Sequence, residues 1–173
     1  MKYWFILSLV LTYTVNASGQ SMKKYPISGS GCFAYMFCEP GEFEKTYSED
    51  SSVVFTGECN EDSLTSGIIC VKLRETVAAG DDAENLLISY LDYLKTIFEI
   101  SSSAGYGKGH TLDGKLEARG VIDYWKNKEG SEWKVKGWTD GKFISVLYVM
   151  AKGELNETTK MDVFLNGFRF PGM

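Results

Sequence analysis

Four cysteines and one histidine are the side chains of this sequence best suited to covalent or proton-transfer chemistry. Cys32, Cys38, Cys59 and Cys70 allow three full pairings in an oxidising compartment. If Phe33 to Phe37 is extended, Cys32 and Cys38 stand about 20 Å apart at roughly 3.3 Å per residue. A bridge needs Cα atoms within about 7 Å. Cys59 and Cys70 instead flank Asn60 to Ile69, and a hairpin turning near Leu64-Thr65 sets them opposite each other. Cys59–Cys70 is the preferred bridge, with Cys32 competing for Cys59 if the first two strands pair. Buried free thiols remain the alternative, because a free cysteine behaves as a small hydrophobe. The gaps of five, twenty and ten residues hold no Cys-x-x-Cys, which argues against zinc. No metal or other cofactor is expected.

His110 lies in Gly107-Lys108-Gly109-His110-Thr111 with Asp113 nearby. A hydrolytic site needs a base held by an acid beside a nucleophile, and no Gly-x-Ser-x-Gly accompanies this histidine. Gly105-Tyr106-Gly107-Lys108-Gly109 lacks the Gly-Lys-Ser/Thr that opens the helix of a P-loop. Tyr106, Lys108 and His110 still stand as candidate ligand contacts, since functional groups concentrate on loops held by a rigid scaffold. Glu58, Glu61 and Asp62 lack the alternating ligands and central glycine of a calcium loop. Asp81, Asp82 and Glu84 read better as a helix start. Asn156-Glu157-Thr158 matches the N-glycosylation acceptor pattern, whose meaning depends on the source of the chain.

Tryptophans supply the remaining candidates. From Glu132 to Trp138, Trp133 and Val135 alternate with Lys134, Lys136 and Trp138, the pattern of a sheet with one wet face. An exposed tryptophan beside lysines suits a protein or glycan partner. Lys134, Lys136 and Trp138 therefore complete the candidate binding set.

The elements that must position these groups follow from periodicity. Residues 18–31 read as a flexible, Gly- and Ser-rich leader, and 32–171 as a single α+β domain. Cys32 to Cys38, Ser52 to Cys59 and Gly67 to Glu75 carry β-branched and aromatic runs. A long amphipathic helix from Ala83 to Ile100 starts at Asp81, with Glu84 as the second half of a capping box. Leu87, Leu91, Leu94 and Phe98, joined by Leu86, Tyr90 and Ile97, form an apolar face that must lie on a sheet. After the long connection Ser101 to Gly120 come strands at Gly120 to Lys126, Glu132 to Trp138 and Phe143 to Met150. Asp140-Gly141 marks a tight hairpin between the last two. Phe143 to Met150 is apolar on both faces and reads as a central strand. A short helix from Glu157 to about Gly167 closes the chain.

Lys2, the apolar run Tyr3 to Val15 and the small residues around Ala17 read as a cleaved signal peptide over residues 1–17. The run is shorter than the roughly 20 residues of a membrane span. A mature protein in the periplasm or outside the cell is expected, with no membrane span. The net charge of −5 disfavours non-specific binding to nucleic acid. Glu39 to Glu84 holds twelve acids and three bases, against six and eight from Lys108 to Lys142, so an acidic half faces a mildly basic one that could steer a charged partner. Nothing in the pattern sets the oligomeric state.

Strands, one amphipathic helix, an antiparallel meander and a short closing helix follow in that order. With the tail Phe164-Leu165-Asn166-Gly167-Phe168-Arg169-Phe170 after Val146-Leu147-Tyr148-Val149, this resembles the fold of PsbP, the extrinsic lumenal protein of photosystem II. A Ran-binding nuclear import factor shares that fold, and small exported bacterial proteins are also similar. The resemblance implies an α+β sandwich: an antiparallel sheet with the long and the C-terminal helix packed on it. It also implies a binding or assembly module rather than an enzyme. No PsbP-type calcium or chloride ligand matches residue by residue. The alternative is a secreted enzyme or small-ligand protein with a pocket between the long helix and the sheet near His110.

Overall fold

The computed structural model describes residues 22–61, 63–156 and 158–173; the signal-peptide reading of 1–17 lies outside them. The chain runs β1 (Lys23–Pro26), β2 (Phe33–Met36), β3 (Glu44–Tyr47), β4 (Val53–Glu61), β5 (Leu64–Lys72) and α1 (Asp81–Ile97). It continues through β6 (Ile100–Ser103), β7 (Gly107–Leu112), β8 (Lys115–Asn127), β9 (Glu132–Thr139), β10 (Phe143–Ala151), α2 (Thr159–Leu165) and β11 (Phe168–Arg169). An eight-stranded sheet has the order β3-β4-β5-β10-β9-β8-β6, with β7 also paired to β8. A small three-stranded sheet has the order β1-β2-β11. The fold is α+β with antiparallel strand pairs, and β10 is central between β5 and β9, as its apolar character on both faces predicts.

Each face of the large sheet has its own core. Val121, Trp125, Trp133, Val135, Ile144 and Val146 meet Leu87, Leu91 and Leu94 of α1 on one side. Gly137 allows the close approach: a Cβ there would lie 2.6 Å from Cδ1 of Leu87. On the other side Phe55, Cys70, Trp138 and Leu147 pack with Ala34 and Met36 of the small sheet and Met161, Phe164 and Leu165 of α2. The side of β9 predicted to be wet is therefore closed. Lys134, Lys136 and Trp138 are 4%, 5% and 1% exposed, because α2 and the small sheet lie across that face.

Three further expectations are corrected. The leader is not uniformly flexible: β1 pairs with β2 through Lys23↔Met36 to Pro26↔Phe33, and Ile27 is buried. A four-residue edge strand with mostly exposed side chains shows no alternation to read. Asp81 does not cap α1: Gly80, at φ 96°, is the N-cap, and no side chain caps the helix. Asp81, Asp82 and Glu84 occupy its first turn, where their charge complements the helix dipole. Finally, the disulfide joins Cys38 to Cys59, with Cα atoms 5.9 Å apart, and not Cys59 to Cys70. The hairpin pairs Glu61 with Leu64, so Cys59 faces Ser66 and Cys70 faces Phe55. A turn centred two residues earlier than expected separates the two cysteines along the ladder.

Other elements keep their type and move at their ends. The β9–β10 connection spans three residues, 140–142, rather than two. Asp140 Oδ1 accepts hydrogen bonds from the amides of Lys142 and Phe143, each 2.9 Å long. Thr158 caps α2, its hydroxyl accepting from the amide of Met161 at 3.4 Å. Among the described residues, no helix is long and apolar enough to cross a membrane.

Candidate functional site

A helix about 10 Å across covers roughly two strands spaced about 4.8 Å apart. The helix α1 lies against β8 and β9, with lighter contact to β6. The same face of β4 and β5 is left without a helix. Its side chains remain apolar, so the uncovered half of the sheet and the flank of α1 enclose a groove of about 770 Å³.

Val54, Ile69, Val71 and Ile144 form the floor, contributed by β4, β5 and β10. Val54 faces Val71, which faces Ile144, so three adjacent strands present one apolar row. Leu86, Tyr90, Leu94 and Phe98 supply the helix wall, with Ser89, Tyr93 and Ile97 toward the mouth. The edge strand β3 closes the far side with Thr46 and Tyr47. Tyr47, Tyr93 and Ile97 are 66%, 57% and 55% exposed. They are half of the six large hydrophobics left in solvent among the described residues, so exposed apolar surface is concentrated here.

One end of the groove is polar. Asp50 Oδ1 accepts from the Ser48 hydroxyl at 2.5 Å and from the amide of Ser52 at 3.1 Å. Its Oδ2 accepts from the Ser52 hydroxyl at 2.8 Å. The Ser48 hydroxyl, followed by the amide and hydroxyl of Ser52, holds the Asp50 carboxyl below its ordinary range. Ser52 Oγ accepts from the amide of Arg74 at 3.0 Å, fixing the turn to the chain beyond β5. Burial, followed by the neighbouring Tyr93, pushes the Tyr90 hydroxyl up to about 12. It is neutral at physiological pH. The lining contains Glu49 and Asp50 and no lysine, arginine or histidine.

The candidates read from the sequence are divided between the two faces of the sheet. Tyr106 and Lys108 belong to the α1 face. The Tyr106 hydroxyl accepts from Lys95 Nζ at 2.9 Å and donates to Asp92, while Lys108 Nζ lies 3.9 Å from Glu84. His110, Lys134, Lys136 and Trp138 come together on the opposite face beneath α2. His110 Nδ1 is 3.4 Å from Lys136 Nζ, which donates to Asn166 Oδ1 at 2.7 Å. Lys134 pairs with Asp162 at 2.9 Å, and Trp138 Nε1 donates to the Leu165 carbonyl at 2.9 Å. These contacts anchor α2. Asp113 is exposed and makes no hydrogen bond or ion pair with His110. Among the described residues, no three His, Cys, Asp or Glu side chains group to hold a metal ion.

The groove was only partly visible in the sequence. Tyr90 and Ile97 belong to the helix's apolar face, but that face is wider than its contact with the sheet. Tyr93 and Ile97 continuing around the helix were the available signal.

Burial, followed by the charge of Lys136, lowers the His110 pKa below its ordinary 6.5. The unfolded chain therefore binds this proton more readily than the folded one, so His110 favours folding above about pH 6.5 and loses that contribution as pH falls toward the depressed value. The melting temperature should fall less between pH 7.5 and 5.5 in His110→Gln than in the wild type. Parallel pH profiles would remove His110 as a cause.

A scan against protein-family models and a search of curated proteins give no significant match.

Proposed function

We propose that the chain is an exported, non-catalytic binding module that holds a small, neutral or cationic, largely apolar molecule in the groove between α1 and β3–β5. The carrying observation is the coincidence of a cavity of about 770 Å³ with the exposed Tyr47, Tyr93 and Ile97. That volume falls within the range of roughly 300–1,000 Å³ usual for small-molecule sites. Apolar walls supply the driving force for binding, and tyrosine and serine hydroxyls can orient a polar group. With Glu49 and Asp50 at one end and no base in the lining, an anionic ligand such as a fatty acid would meet like charge.

This reading moves the expected pocket away from His110, which lies on the other face of the sheet, to the side of α1 that overlooks β3–β5. Export is supported by the apolar, Lys2-led N-terminal sequence and by the Cys38–Cys59 bridge. The PsbP-like sandwich is proposed from the order of strands, long helix, meander and closing helix.

Ser89→Trp would fill the groove from an exposed helix position, and Tyr93→Ala would remove part of its mouth. With N-phenyl-1-naphthylamine as the neutral probe, fluorescence titration should show saturable binding weakened at least tenfold by Ser89→Trp, with unchanged circular dichroism. No saturable binding to the wild type, or unchanged affinity in the filled variant, would reject this site. So would a stable dimer whose interface buries Tyr47 and Tyr93.

A further inference from the structure

The disulfide between Cys38 and Cys59 leaves two thiols, Cys32 and Cys70, which are 2% and 0% exposed and belong to the same buried cluster. Their meeting is built into the fold. Cys32 ends a tight turn in which the amide of Ile27 donates to the Cys32 carbonyl at 2.9 Å. Ser30 Oγ accepts from the amide of Cys32 at 2.9 Å and donates to the Ile27 carbonyl at 2.6 Å. The turn sits over the large sheet: a Cβ on Gly29 would lie 3.8 Å from the Phe55 ring. Phe55 is the direct cross-strand partner of Cys70. Both thiols belong to the buried cluster at this junction and interact with each other there.

We propose that Cys32 and Cys70 form a second disulfide, nested outside Cys38–Cys59, by exchange with an external disulfide donor. In the docked core the contact with Cys70 lowers the Cys32 thiol's pKa, whereas the contact with Cys32, followed by burial, raises that of Cys70. Before docking both thiols are open to the donor, and Cys32 serves as the first nucleophile. Its thiolate attacks one sulfur of the donor, breaking the donor S–S bond and releasing one donor thiolate. Cys70 then gives up its proton and attacks Cys32 Sγ in the mixed disulfide, releasing the second donor thiolate. Two protein thiols are oxidised to one disulfide, the donor disulfide is reduced to two thiols, and both protons end on the donor. Because the folded core closes over both sulfurs, exchange precedes the docking of the β1–β2 hairpin.

The second bond would hold both ends of β2. Cys38 follows β2 and is tied to β4, whereas Cys32 precedes β2 and would be tied to β5. The small sheet then cannot leave the large one without breaking a covalent bond.

The test refolds the chain with oxidised glutathione, unfolds it in guanidinium with iodoacetamide, and measures intact mass and linked peptides. Wild type should take up no label and yield Cys32–Cys70 and Cys38–Cys59 peptides. Cys70→Ser should leave Cys32 as the single unbridged cysteine, carrying either the glutathione of the unresolved mixed disulfide or the label. Labelling of both Cys32 and Cys70 in wild type would overturn the assignment, as would a Cys32–Cys38 or Cys32–Cys59 peptide. Glutathione or label on Cys38 or Cys59 in the Cys70→Ser variant would also overturn it.

Discussion

Replacing Trp138 with alanine will destabilise the fold by roughly 3–5 kcal/mol, the range for emptying a large aromatic site in a core. Trp138 is 1% exposed, and its indole lies across Gly120, where a Cβ would come within 2.4 Å of Cζ3. Its Nε1 donates to the Leu165 carbonyl, so the truncation also leaves a carbonyl at the end of α2 without its partner. Lys136 Nζ stands 4.7 Å from the ring centroid and loses its aromatic neighbour. Trp138→Phe retains most of the packing and removes the donor, which should cost about 1–2 kcal/mol. Urea unfolding of the three proteins provides the comparison. A wild-type midpoint for the alanine variant would show that this side of β9 is not part of the core. Because the groove is on the other face, Trp138→Phe should retain full affinity for the neutral probe.

The expectation that Trp138 would be exposed came from its two lysine neighbours, and it shows where sequence periodicity stops. Alternation along β9 correctly separates Trp133 and Val135 from Lys134, Lys136 and Trp138. It does not reveal what covers the second set. Lys134 and Lys136 are accommodated by Asp162 and Asn166 of the α2 region, and only the tertiary fold brings that region across β9. The long helix and the central position of β10 were legible because their patterns extend over many residues. The short strands β1, β3 and β6 span four residues each, too few for a clear alternation. Register was equally hidden: a small displacement of the β4–β5 turn exchanged Cys70 for Ser66 opposite Cys59. The groove depends on a different property, the mismatch between one helix and a wide sheet. Individual residues showed its apolar walls, but strand order determines which of them are left uncovered.

Asp123→Ala should weaken the fold by roughly 3–5 kcal/mol, because it removes the buried member of an ion pair and leaves Lys95 only the exposed Asp92, 3.5 Å away, as a counter-charge. Asp123 is 0% exposed. Its Oδ1 accepts from the amides of Tyr124 and Gly105 at 2.8 and 3.0 Å, and its Oδ2 accepts from Trp125 Nε1 at 2.8 Å. Lys95 Nζ is 2.9 Å from Oδ2, so this carboxylate connects α1, β8 and the β6–β7 connection. Burial opposes the charge on Lys95, but the Tyr106 and Asp123 contacts together raise its pKa above the ordinary lysine value. Loss of Asp123 should therefore loosen the C-terminal half of α1, including Leu94 and Phe98 in the groove wall, and weaken probe binding as well as stability. Lys95→Met removes the stranded charge, so the double variant should be less destabilised than the sum of the two single changes. Guanidinium unfolding of all four proteins completes the cycle. Additivity within about 0.5 kcal/mol would show that the pair is not coupled and would leave the burial of Asp123 to be explained by its amide and indole donors alone.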